Sequence, residues 1–281
     1  MISYHTTKIQ DLSIFYREAG QPDLPTLVLF HGFPSASHMF RDLMPRLEKH
    51  FHLIAPDYPG FGQSSAPDRR QFAYTFDHLT EIMAAFVTKL NLTPAYFYVF
   101  DYGAPIGFRI AAQHPDWIKG IISQNGNIYQ EGLGPKWADR QDFWNHPTPE
   151  KRASYRTAFA PATIKNQYLT GTLPGQVSPD GYTLDIAYTH APGYTERQLD
   201  LIFDYQNNIK LYSEFQAYLR TYQPQLLAVW GKNDPSFIFP GAEAFKRDDP
   251  NTEVDLLDSG HFALETHAST IAQLIVQYFN V

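Results

Sequence analysis

The sequence predicts an α/β fold in which a mostly parallel sheet of eight short strands carries helices on both faces. Three observations lead to it. Apolar runs such as TLVLF (26–30), AYFYVF (95–100) and QLLAVW (225–230) have the length and unbroken apolarity of strands buried on both sides. Helical patterns separate these runs, as right-handed crossover units require. The alternation breaks between 127 and 222 and then resumes, which marks an insertion into a core made of 1–126 and 223–281.

The elements follow in order. ISYHTTKI and LSIFYREAG read as two strands rich in β-branched and aromatic residues, followed by the buried strand TLVLF and a glycine-containing turn. ASHMFRDLMPRLEKH (36–50) repeats its apolar residues at spacings of three and four and predicts one helix. FHLIAPD is the next strand, ending in the turn-rich YPGFGQSSAP. TFDHLTEIMAAFVTKLNL is an amphipathic helix and AYFYVF a buried strand. APIGFRIAAQHP is helical, with Pro105 in a first turn that tolerates it. WIKGIISQN is a further strand. After the insertion come QLLAVWG (strand), GAEAFKRD (helix), TEVDLLD (strand) and ASTIAQLIVQYF (helix).

The insertion has its own composition. It is interrupted by proline and glycine and holds 10 of the 18 tyrosines: 129, 155, 168, 182, 188, 194, 205, 212, 218 and 222. Across the whole chain, 15% aromatic residues hint at an aromatic-lined cavity. A net charge of −7 without a basic run gives no footprint for nucleic acid. Cysteine is absent, which excludes disulfides, thiolate zinc sites and a cysteine nucleophile. The opening MISYHTTKIQ lacks the pattern of a secretory signal, and no apolar run is suited to a bilayer. The expectation is a soluble cytoplasmic protein, monomer or homodimer, without membrane or nucleic-acid partners. His50 and His52 lack carboxylate or cysteine context and read as surface residues, not metal ligands.

In a parallel sheet, ligands gather at the carboxyl ends of the strands. Four ends are informative: HGFP after TLVLF, DYGAP after AYFYVF, GKNDP after QLLAVW, and SGHF after TEVDLLD. Asp101 opens a strand-to-helix turn with Gly103 two places on, and the helix N-terminus beside it favours the ionised carboxylate. Taken singly, Asp101 reads equally as a helix N-cap, Asp234 as a turn former and His261 as a polar strand end. Together they stand in the order nucleophile, acid, histidine, with His261 as base and Asp234 as its orienting acid. The N–H groups of Phe33 and Tyr102 would then form an oxyanion hole. Ser64, in GFGQSSA, lies in a loop and reads as structural.

These segments resemble the α/β-hydrolase superfamily along essentially the whole chain, and within it the branch with an aspartate nucleophile, the epoxide hydrolases and haloalkane dehalogenases. HGFP is similar to the epoxide hydrolase HGxP motif, and DYPGFGQS to the loop after the fourth strand. FDYGAPIGF resembles the nucleophile segment, and WGKNDP and GHF the acid and histidine segments. Val99 departs from the usual elbow glycine. The resemblance implies an eight-stranded sheet, a helical cap at 127–222, no cofactor or metal, and a small apolar organic substrate with water. It also implies attack by Asp101 on saturated carbon, giving an alkyl ester that His261 then hydrolyses by activating water.

The branch divides on the leaving group. Haloalkane dehalogenases typically hold the halide with a tryptophan after the nucleophile, where this chain has Tyr102; fluoroacetate dehalogenases usually place arginine there. Epoxide hydrolases protonate the ring oxygen with cap tyrosines, and DYQNN resembles the segment that carries one, making Tyr205 the candidate. The early cap stretch DRQDFWNHP offers Trp144 where a second phenol would be expected; Tyr129 or Tyr155 could substitute. Tyr205, Trp144 and His31 are thus the candidates for contact with substrate and leaving group. An epoxide hydrolase is the favoured expectation, with haloalkane or haloacid dehalogenation as the alternative. A non-catalytic ligand-binding protein of the same fold is the alternative of another class.

Overall fold

The computed structural model describes residues 1–281. Its sheet comprises β1 (Ser3–Ile9), β2 (Leu12–Ala19), β3 (Thr26–Phe30), β4 (His52–Pro56), β5 (Ala95–Phe100), β6 (Ile118–Gln124), β7 (Gln225–Gly231) and β8 (Glu253–Leu257). The strand order is β1-β2-β4-β3-β5-β6-β7-β8. β2 is antiparallel to both β1 and β4, and every other pairing is parallel.

The central strands are apolar throughout because each face has its own core. Val28, Phe30, Phe97, Val99, Leu226, Ala228 and Trp230 join one buried cluster. Leu27, Leu29, Tyr98, Phe100, Leu227 and Val229, which alternate with them, join the other. The period of two along a strand sends neighbours to opposite faces, and both faces exclude water. The first cluster is closed by α2 (Phe76–Lys89), α3 (Gly103–Gln113) and α10 (Pro240–Asp248); the second by α1 (Met44–Leu47) and α11 (Leu264–Phe279).

Two helices differ from the sequence expectation. The single helix expected over 36–50 is a 3-10 turn at Ser37–Phe40 followed by the one-turn α1. Pro45 supplies no N–H to continue the helix from the preceding turn and sits instead in the first turn of α1, while Met39, Phe40, Leu43, Met44 and Leu47 still bury themselves. α11 begins one turn earlier than expected, with a kink at His267. His52 is not a surface residue: it is buried, with Nε2 2.7 Å from a Glu18 carboxylate oxygen.

Between β6 and β7 the chain contains no strand. It forms α4 (Trp137–Asn145), α5 (Pro149–Ser154), α6 (Pro161–Leu169), α7 (Pro179–Thr189), α8 (Tyr194–Lys210) and α9 (Tyr212–Tyr222). Polar contacts fasten these helices to the sheet side. Asp204 of α8 accepts the Phe76 N–H at 2.7 Å, placing a carboxylate at the N-terminus of α2. His38 Nε2 lies 3.0 Å from Asp185 of α7, both buried. No helix is long and apolar enough to cross a membrane.

Candidate active site

Asp101 follows β5 with φ 48°. This left-handed turn lets the chain enter α3 at once, and it needs room. A Cβ on Gly103 would stand 2.3 Å from the Phe30 carbonyl oxygen. The bulk of Val99, where the resemblance leads one to expect glycine, is accommodated by Gly107, whose Cβ would meet Val99 Cγ1 at 2.4 Å. Asp101 does not cap α3: the N-cap is Tyr102 and no side chain bonds there.

The Asp101 carboxylate instead faces two other segments. Its Oδ1 accepts the Phe33 N–H at 2.7 Å, and the Tyr102 N–H also supports the charge. Its Oδ2 lies 3.7 Å from His261 Nε2. At 7% exposure the group is shielded from solvent. Burial raises its pKa above the ordinary carboxylate value, against the pull of His261 and the two N–H groups. The expectation from the helix N-terminus was the opposite direction; desolvation at this depth outweighs it.

His261 Nδ1 sits 2.6 Å from Asp234 Oδ2. That oxygen also takes a bond of 2.9 Å from Asn125 Nδ2, and Oδ1 accepts the Ser236 N–H at 2.7 Å. Asn125 is a residue that sequence reasoning missed. It stands after β6, with φ 46°, and its Oδ1 accepts the Gly231 N–H, so it braces Asp234 against the end of β7. The rule applied to the other strand ends could have found it. Burial lowers the pKa of His261, but the charge and hydrogen bond of Asp234, with Asp101, outweigh this and leave it raised. His261 opens on a cavity of about 250 Å³ that it shares with Lys136, Thr163, Asn166 and Gln167.

Three of the expected contact residues fare differently. Tyr205 is fully buried, its ring 5.8 Å from Tyr102 and 5.4 Å from Phe76. The hydroxyls of Tyr205 and Tyr102 are both buried with no carbonyl or carboxylate partner, and burial first, then Tyr212 and the Asp101 charge, push the Tyr205 phenol well above its usual pKa. The Tyr212 hydroxyl, a further group missed in the sequence, lies beside that of Tyr205 and takes a weak bond from Asn127 at 3.4 Å.

Trp144 corrects the expectation: its indole N–H donates to the Ile202 carbonyl at 3.1 Å and is not available to a leaving group. Trp137, which the sequence reading passed over, packs in a tilted arrangement against Tyr205 at 4.8 Å, but its N–H is likewise given to the Ser236 carbonyl.

His31 also needs correction. Its Nδ1 faces the Gly32 carbonyl at 3.2 Å, its Nε2 accepts the Tyr58 N–H at 3.2 Å, and its ring stacks on Tyr58 at 4.0 Å. With both nitrogens engaged and no exposure, it shapes the loop that presents the Phe33 N–H and has no free nitrogen to offer a leaving group. Ser64 is held in its loop, donating to the Asp57 carbonyl and accepting the Phe15 N–H.

The arrangement joins a carboxylate supported by the Phe33 and Tyr102 N–H groups, a histidine oriented by a second carboxylate, and two buried phenols. Such a set can perform displacement by carboxylate followed by base-assisted hydrolysis.

Comparison with known proteins gives a consistent picture. Residues 25–268 match the family model for the alpha/beta hydrolase fold. The chain is 43% identical to an uncharacterized hydrolase of Saccharomyces cerevisiae, covering 98% of this chain and 97% of that one. It is 26% identical to a haloalkane dehalogenase of Bradyrhizobium diazoefficiens, over 94% of this chain and 89% of the other. The crystal structure of a haloalkane dehalogenase from Bradyrhizobium elkani has the same fold, with a TM-score of 0.81 at 23% identity, covering 100% of this chain and 98% of that one.

Proposed function

This chain belongs to the α/β hydrolase family, as a haloalkane dehalogenase-like hydrolase, and we propose that it opens small epoxides to vicinal diols through an alkyl ester of Asp101. Oδ2 of Asp101 attacks a ring carbon, the carbon–oxygen bond breaks, and the Tyr205 phenol gives its proton to the departing oxygen. Tyr102 donates a second hydrogen bond. His261, oriented by Asp234, then takes a proton from water as the water oxygen attacks the ester carbonyl carbon. The oxyanion develops on Oδ1, where the N–H groups of Phe33 and Tyr102 receive it. Collapse releases the diol and restores the carboxylate; the imidazolium proton returns to the Tyr205 phenolate. The helical segment 127–222 acts as a cap that brings Tyr205 over the nucleophile.

The observation that carries the epoxide reading is the state of the donors. Neither phenol near Asp101 is committed to a carbonyl or carboxylate, Tyr205 having only the Tyr212 hydroxyl beside it, while the nearby indoles of Trp137 and Trp144 are committed to backbone carbonyls. A departing alkoxide needs a proton, which a phenol can give and an indole cannot. The second reading, dehalogenation, is favoured by the names of the relatives; the phenols would then solvate a halide. In either reading Asp101 carries the ester.

The test is intact mass of His261→Gln after incubation with styrene oxide or 1-bromohexane. Ester formation survives this substitution while its hydrolysis stalls, so an epoxide adduct that disappears in the His261→Gln/Asp101→Asn double variant is the expected result. An adduct from the bromoalkane alone selects dehalogenation. No adduct from a panel of both classes, with no turnover by the unsubstituted protein, returns the chain to a ligand-binding role.

A further inference from the structure

On α8, Tyr194 and Tyr205 mark the two ends of a stripe that lies over the nucleophile. The Tyr194 hydroxyl reaches the Pro34 carbonyl at 3.5 Å, and its ring packs on Phe159 at 6.0 Å. Phe159 packs on Phe33 at 5.8 Å, Phe33 on Tyr102 at 5.7 Å, and Tyr102 on Tyr205 at 5.8 Å. The helix therefore runs along the wall formed by Pro34, Phe33 and Tyr102, the same residues that surround the Asp101 carboxylate.

Gln198 lies between the two tyrosines. At 100° per residue it falls within about 20° of Tyr205 and about 40° of Tyr194 around the helix axis, so it faces the same wall. Its side chain has no solvent exposure, and neither its amide oxygen nor its amide nitrogen has a hydrogen-bond partner. Leu201 and Ile202, which flank it on this face, are apolar. Asn208, another buried α8 amide without partners, stands one turn beyond Tyr205 and outside this stretch. A buried amide with donor and acceptor both unsatisfied is costly to the fold, and this one shares its helix face with Tyr205, whose ring packs on Tyr102 beside Asp101.

We propose that Gln198 is a specificity-determining residue whose amide binds a neutral hydroxyl on the substrate, close to the reacting carbon. A hydroxyl can both donate to Oε1 and accept from Nε2, satisfying the two orphaned atoms together. A carboxylate offers only acceptors and would leave Oε1 opposed. The preferred substrate class is accordingly an epoxy alcohol rather than an epoxidised hydrocarbon, which replaces the apolar substrate that the sequence suggested. The choice of an epoxide rests on the hydrolytic reading above; the hydroxyl contact does not.

The test compares 3-phenylglycidol with trans-β-methylstyrene oxide, which differ by one hydroxyl, and their inert alkene counterparts cinnamyl alcohol and trans-β-methylstyrene. The unsubstituted protein is expected to favour the hydroxylated epoxide in kcat/KM by about tenfold or more. Gln198→Met is expected to collapse that ratio, chiefly by raising KM for the hydroxylated member, and to do the same to the ratio of Kd values for the inert pair. Because the variant removes two orphaned polar atoms, its melting temperature should equal or exceed that of the parent. Ratios unaltered by the substitution, or a lowered melting temperature showing that the amide has a structural partner, overturn the proposal. If neither epoxide is hydrolysed but the inert alcohol loses its advantage in Gln198→Met, the hydroxyl contact stands and the epoxide reading falls. If both epoxides turn over at an unaltered ratio, the reverse holds.

Discussion

In the resting protein the Phe33 N–H donates to Oδ1 of Asp101 at 2.7 Å. One carboxylate oxygen thus already occupies the position where negative charge would develop during ester hydrolysis. The other, Oδ2, is turned toward His261, and on the proposed mechanism it is the oxygen that attacks. Preorganisation of this kind avoids moving the donors at the moment of reaction. The predictions below follow from the groups around this pair.

Tyr205→Phe should slow single-turnover ester formation from epoxides by about 10²–10⁴-fold, the usual contribution of a positioned acid. Tyr102→Phe should have a smaller effect. Since each hydroxyl is buried without a partner, neither substitution should lower the denaturation midpoint. Stopped-flow mixing with styrene oxide and urea titration measure the two effects; full-rate ester formation by Tyr205→Phe would exclude it as the acid.

Ester hydrolysis requires neutral His261, whose pKa is raised above 6.5 by Asp234 despite the opposing effect of burial. The rate of this step should therefore rise with pH as His261 loses its proton, with a midpoint below that of the free protein because esterification removes the Asp101 charge that helps to hold the pKa up. Asp234→Asn removes the stabilising charge and leaves the burial, so the midpoint should move down while the rate falls by about 10²–10⁴-fold. A pH–rate profile of deacylation shows both; an unshifted midpoint contradicts the pairing.

His31 is held neutral: burial drives its pKa down to about 3, partly offset by the Gly32 carbonyl and reinforced by His38. In the unfolded chain it titrates near 6.5. Below that pH the unfolded state binds a proton that the folded state refuses, so stability is complete above 6.5 and is lost as pH falls toward 3. The loss from this group approaches about 1.4 kcal/mol per pH unit. Chemical denaturation between pH 7 and 5 should show a shallower decline in His31→Gln than in the parent, and identical slopes would assign the acid sensitivity elsewhere.

Gly32→Ala tests the close approach of the Phe33 loop to Asp101. The added Cβ would stand 2.4 Å from Asp101 Cβ and 2.6 Å from its Oδ1. The carboxylate must shift away from the Phe33 N–H, and activity should fall by about 10²-fold. The overlap should also cost about 1–3 kcal/mol of stability. Unchanged kcat with unchanged stability would show that the loop yields freely.

The strands and the strand ends were legible in the sequence because their cause is local. An unbroken apolar run can be a strand only where both its faces are covered, and parallel strands bring HGFP, DYGAP, GKNDP and SGHF to one edge whatever lies between them in the chain. The interrupted helix after β3 was less legible, since periodicity survived the break that Pro45 imposed.

What only the tertiary structure decided concerns the state of single polar groups. Sequence position placed Trp144 and His31 near the candidate site but could not show that Ile202, Gly32 and Tyr58 occupy their nitrogens. It pointed to a lowered pKa for Asp101, whereas burial raises it, and it left Asn125 and Gln198 unnoticed. Apart from the neighbouring Gly32 carbonyl, these hydrogen-bond partners and the desolvation come from residues tens of positions away or more. A group's availability for chemistry is therefore set by packing, while its place on the sheet edge is set by the chain around it.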